Sequence, residues 1–91
     1  MEKEGFRHYM LIFYSLRYIP QKDKVKFLRE LQGYSERKYG KEYFHSGLIH
    51  EFKAEKLGSN VVLVSINHFA EFQKLFSKNN IGIRIKEVWA K

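Results

Sequence analysis

Residues 60–66 read Asn60-Val61-Val62-Leu63-Val64-Ser65-Ile66, an almost unbroken run of branched apolar side chains. Such a run suits a deeply buried strand. Asn67 follows and can cap a helix, because Phe69, Phe72, Leu75 and Phe76 then recur at helical spacing as far as Asn79 and Asn80. Upstream, residues 43–53 (YFHSGLIHEFK) alternate loosely. Phe44, Leu48 and Phe52 fall on one side and His45, Ile49 and Glu51 on the other, which predicts an outer strand with a bulge at Gly47. A turn at Lys56-Leu57-Gly58-Ser59 would join the two strands as a hairpin.

Working outward, residues 7–17 (RHYMLIFYSLR) are apolar on both faces and predict a central strand. Pro20 resets the backbone, and a helix is expected from Gln21 to about Lys38. Val25, Leu28, Leu31 and Tyr34 form its stripe, Phe27 widens it, and Lys22, Lys26 and Arg29 lie on another face. Gly33 weakens this helix by roughly 1 kcal/mol relative to Ala, and Gly40 is its expected stop. The chain closes with residues 81–89, where Ile81, Ile83 and Ile85 point one way and Gly82, Arg84 and Lys86 the other.

The order strand, helix, strand, strand, helix, strand predicts an α+β domain of the ferredoxin-like, split βαβ type. In it a four-stranded antiparallel sheet carries both helices on one face, with the first and third strands in the centre. One domain covering residues 1–91 is expected, with residues 1–5 as a flexible tail.

The chain has 44% hydrophobic residues, with 8 Phe and 6 Tyr, so a core can form without staples. It has no cysteine, which rules out disulfides and thiolate metal sites and fits a reducing, cytoplasmic setting. The apolar run from Tyr9 to Leu16 ends at Arg17 without a small-residue cleavage site, so neither a signal peptide nor a membrane span is expected. Lys and Arg number 17 against 10 acids, and the net charge of +7 attracts polyanions. A Lys-rich surface that serves solubility alone would show the same balance.

If the isoleucines of the last strand face the helices, Arg84 and Lys86 face the open side of the sheet. On the first strand either Tyr9, Leu11 and Phe13 or Met10, Ile12 and Tyr14 face outward. The first set is favoured because it puts two rings beside two cations. Rings that stack on bases, flanked by charges that neutralise phosphate, are the means of sheet-based RNA binders. Tyr9 and Phe13 would equally suit a protein partner or a second copy. Lys22, Lys26 and Arg29 form a further basic stripe, continued by Arg37, Lys38 and Lys41, that can track phosphates or serve only as a solvated helix face.

No metal site is expected, since His45 and His50 would lie on opposite faces of one strand, and His8 and His68 have no carboxylate at ligand spacing. Nucleophilic triads, phosphate-cradling glycine loops and dinucleotide fingerprints are absent from the sequence, so neither a cofactor nor catalysis by this chain is expected.

Taken together, Arg7-His8-Tyr9 opening a strand, a long helix, Gly47-Leu48-Ile49-His50-Glu51-Phe52 before a turn, and Val61 to Ile66 running into the helix of Phe69 and Phe72 resemble the archaeal ribonuclease P protein subunits of the Pop family. The chain departs from that family's pattern at Leu63 and Ile66, where arginines are usual, and at Val88-Trp89-Ala90 in place of a Ser-Gly-Thr segment. The resemblance implies a non-catalytic subunit that helps a catalytic RNA trim the 5′ end of precursor tRNA, beside a second protein. The expected function is thus an RNA-binding subunit of a ribonucleoprotein, with Tyr9, Phe13, Arg84, Lys86, Lys22, Lys26 and Arg29 at the interface. The alternative is a homo-oligomeric interaction or ligand-binding module without nucleic acid.

Overall fold

The computed structural model describes residues 6–90, so the tail expected at residues 1–5 lies outside the described residues. The protein is α+β, with a four-stranded antiparallel sheet of strands β1 (Arg7–Tyr14), β4 (Glu55–Gly58), β5 (Val61–Ser65) and β6 (Ile83–Ala90). Its order is β4-β5-β1-β6, which leaves β1 and β5 inside and β6 on an edge. Helices α1 (Gln21–Gln32) and α3 (Phe69–Lys78) pack on one face of this sheet.

The core forms because alternate β1 residues Met10, Ile12 and Tyr14 share that face with Val62 and Val64 of β5. Phe27 and Leu31, one helical turn apart, bring α1 onto it, and Phe72, Leu75 and Phe76 bring α3. The Tyr14 ring joins β1 to both helices, 5.9 Å from Phe27 and 5.1 Å from Phe76 between centroids. Phe27, Phe72 and Phe76 are fully buried, and each side chain contributes roughly 1.5–3 kcal/mol by leaving water.

Several boundaries differ from expectation. Helix α1 stops at Gln32 rather than near Lys38, because Gly33 adopts φ 83 and its N–H closes the last turn on the Arg29 carbonyl. Tyr34 therefore leaves the helix. Gly33–Lys38 is strand β2, which pairs with β3 (Lys41–Ser46) as a separate two-stranded sheet. Gly40 is not a helix stop: with Tyr39 it forms the two-residue hairpin loop, both at positive φ, the geometry that matches strand twist.

The strand expected across residues 43–53 is likewise two elements. After β3, Gly47 starts a short helix, α2 (Leu48–Glu51). Gly47 is no bulge; a Cβ there would overlap the backbone of Leu31, Gln32 and Gly33. The partner of β5 is β4, from the segment expected to be a turn, and the chain reverses at Ser59 and Asn60. The register shift lies at Leu57, between Lys56 and Gly58. Asn67 is not the cap of α3: the Ser65 hydroxyl accepts from the Asn67 N–H and opens a 3-10 turn, Ile66–His68, ahead of it. Among the described residues no helix is long and apolar enough to cross a membrane.

The β2–β3 hairpin is an arm. Every residue of β3 is exposed, Tyr39 at the tip is 98% exposed, and the arm rests on the domain mainly through α1 and α2. The radius of gyration, 14.8 Å, exceeds the roughly 12 Å usual for a compact chain of this length.

Candidate nucleic-acid interface

Directly paired residues in an antiparallel sheet share a face. Phe13 pairs with Arg84 and Val61, Leu11 with Lys86 and Leu63, and Tyr9 with Val88 and Ser65. These residues therefore share the face away from α1 and α3, and none belongs to the buried core. Tyr9, Leu11, Phe13, Val61, Leu63 and Val88 are half-buried by one another, while Arg84 and Lys86 stand exposed beside them. Of the two sets possible on the first strand, Tyr9, Leu11 and Phe13 is the outward one.

Neither Arg84 nor Lys86 forms an ion pair among the described residues. Glu55, paired with Leu63, brings one acid to the β4 side of this face. The arrangement is an apolar floor with two rings and a cationic border along β6. It can stack flat groups and hold anions at the rim. Ile83 and Ile85 do face the helical side, although Ile85, on the edge strand, is 39% exposed.

Lys22, Lys26 and Arg29 are elsewhere. On α1 they lie opposite Phe27 and Leu31, so they face solvent beyond the helical layer, on the side of the molecule opposite Arg84 and Lys86. The residues expected to act together thus form two separate surfaces. The helix set lines a groove of about 500 Å³ with Val25, Tyr34 and Ser46. There the Arg29 guanidinium sits 4.7 Å over the Tyr34 ring, which stacks on His45 at 4.4 Å. Glu30, also in this groove, accepts a hydrogen bond of 3.0 Å from Lys78.

The arm continues this second surface and was not foreseen as a unit. Arg37, Lys38 and Lys41, expected past the end of a helix, lie on it with exposed Tyr39, Tyr43 and Phe44. Glu36 lies 3.1 Å from Lys38 and 3.6 Å from His45. The hydrogen bond from Lys38, chiefly, holds the Glu36 carboxyl below the ordinary carboxylate range. Sequence held one signal for the arm: two glycines, Gly33 and Gly40, bracketing a polar segment too poor in apolar residues to continue the helical stripe.

The histidines do not converge, and the described residues contain no group of three side chains suited to a metal ion. His45 is in β3 and His50 in α2, rather than on one strand. His8 stacks on Trp89 at 4.2 Å, and its Nε2 lies 3.2 Å from Glu87 Oε1. That contact is close enough for an ion pair when the imidazole is protonated, yet too poorly directed to satisfy the buried nitrogen as a hydrogen bond. Spacing along the chain gave no hint of it, since 79 positions separate the two residues (87 minus 8). No family model, no curated protein and no solved structure matches the chain, so function is read from these surfaces.

Proposed function

We propose that the protein is an RNA-binding subunit of a ribonucleoprotein, built on a split βαβ, ferredoxin-like sheet whose open face carries the RNA. The observation that supports this reading most is the pairing of Phe13 with Arg84 and of Leu11 with Lys86, which sets two cations without an ion pair among the described residues beside a floor of rings. Bases of a single strand stack on Tyr9 and Phe13, and Arg84 and Lys86 neutralise the adjoining phosphates. The resemblance to the Pop family makes ribonuclease P and the 5′ processing of tRNA, in the cytoplasm, the first complex to test. In this role the chain positions RNA and performs no chemistry itself.

Fluorescence anisotropy with a labelled single-stranded oligoribonucleotide tests the reading. The wild-type protein should bind with marked salt dependence, and Arg84→Ala with Lys86→Ala should weaken binding and flatten that dependence. Unchanged affinity and slope in the double variant would remove the sheet from the interface.

A second reading has its own support. Leu11, Val61 and Leu63 form an apolar centre on the same face, and among the described residues no strand pairs with the outer edge of β6, a surface on which two copies can associate. Light scattering with and without RNA separates the two: a dimer that persists after nuclease treatment and does not respond to RNA favours self-association.

A further inference from the structure

Where β5 passes into the 3-10 turn, the open face ends in a pocket of about 420 Å³. Arg7 and Tyr9 of β1, Ser65 at the end of β5, Asn67 and His68 of the turn, and Lys53 after α2 all reach its wall. The wall thus offers two permanent cations, the imidazoles of His8 and His68, two hydroxyls and an amide, and among the described residues no carboxylate. His8 is itself on the wall, and Glu87 approaches its Nε2 to 3.2 Å from β6 without lining the pocket. Arg7 and Lys53 form no ion pair among the described residues.

The backbone adds an independent observation. Lys53 sits at φ 55, in the left-handed region that glycine or asparagine usually fills after a helix. Its N–H donates to the His50 carbonyl, and the next N–H, of Ala54, to Ile49. Lysine is uncommon in this backbone conformation, and here it places a cation on the pocket wall. Beside it, Phe52 stacks on His68 at 4.8 Å and fixes that ring.

We infer that this pocket binds a phosphate monoester, the terminal phosphate of the RNA strand that crosses the sheet. A phosphodiester carries one negative charge, whereas a monoester carries between one and two near neutrality and presents three oxygens, which suits two cations backed by neutral donors. Tyr9 belongs both to the pocket wall and to the floor, so a strand stacked on the sheet has its end at Arg7 and Lys53. The inference rests on the RNA reading for the source of the phosphate, though not for the pocket itself.

The test uses the full chain and three probes: one oligoribonucleotide with a 5′ phosphate, the same sequence with a 5′ hydroxyl, and adenosine monophosphate. Binding is followed by anisotropy and by amide NMR shifts. The phosphorylated strand should bind roughly 10-fold more tightly, the size of one charge-assisted hydrogen bond, with shifts at Arg7, Lys53 and His68. Lys53→Asn, which removes the charge and suits the left-handed backbone, combined with Arg7→Gln should abolish the preference, weakening the phosphorylated strand more than the hydroxyl strand until the two bind alike. Equal affinity for the two strands overturns the phosphate pocket and leaves the RNA reading standing. If neither strand binds but the mononucleotide shifts the pocket residues, the pocket holds and the RNA reading falls. Silence toward all three probes overturns both.

Discussion

Gly33 and Gly47 meet backbone to backbone where α1 ends and the arm returns: a Cβ on Gly33 would lie 2.8 Å from the Gly47 nitrogen, and one on Gly47 would overlap the Gly33 nitrogen. This contact sets where the arm leaves the domain. Gly33 also needs its left-handed φ, whereas Gly47 is extended, at φ −98, and needs only the space.

Gly47→Ala should therefore destabilise through crowding alone, by about 1–3 kcal/mol, the usual cost of overpacking. Urea unfolding measures the loss, and amide shifts should concentrate at the end of α1 and the base of the arm. A variant as stable as the wild type would mean that the two segments are not in contact at this point.

The two basic surfaces lie on opposite sides of the domain, and their variants should behave independently. Removing Arg84 and Lys86 should lower the steepness of the salt dependence of single-strand binding by about 1.4, from about 0.7 for each phosphate contact. Replacing Lys22, Lys26 and Arg29 with alanine on top of this should add its own effect without coupling, because widely separated sites are additive within about 0.5 kcal/mol. A larger interaction energy between the two sets, from a full mutant cycle, would place them on one continuous RNA path.

Tyr14 carries its hydroxyl into the core, where the oxygen is buried without a hydrogen-bond partner among the described residues and burial pushes its pKa up. Tyr14→Phe keeps the ring contacts with Phe27 and Phe76 and removes that hydroxyl. Stability should stay level or rise by about 1 kcal/mol in chemical denaturation. A loss of 1 kcal/mol or more would reveal a hydrogen bond to this oxygen.

Glu36 should report the state of the arm. Its carboxyl titrates below the ordinary 4.5 because Lys38 and His45 favour the charged form. A depressed folded-state pKa contributes stability that is present above the unfolded value and is lost as pH falls through the folded one. Carboxyl NMR should give a midpoint below 4.5 that returns toward it in Lys38→Met. A wild-type midpoint at or above 4.5 would show that the Lys38 contact does not persist in solution.

Much of the main sheet was legible because burial imposes periodicity. The β5 run, the alternation of Ile83, Arg84, Ile85 and Lys86, and the spacing of Phe72, Leu75 and Phe76 each mark an element held by the common core. The arm was illegible for the converse reason. None of its residues is buried, so no buried face stamps a period of two on it, and its residues merged with the helix before and the strand after.

Composition and periodicity alone determined that this chain forms an α+β domain with a helix-covered sheet and a surplus of positive charge, since apolar spacing and charge count are local properties of the chain. Only tertiary structure decided which cations share a surface. Register puts Arg84 beside Phe13, the helical layer separates both from Lys22, and the end of the sheet gathers Arg7, Lys53 and His68 around one pocket. Those groupings depend on contacts between residues far apart in the chain, and no local pattern encodes them.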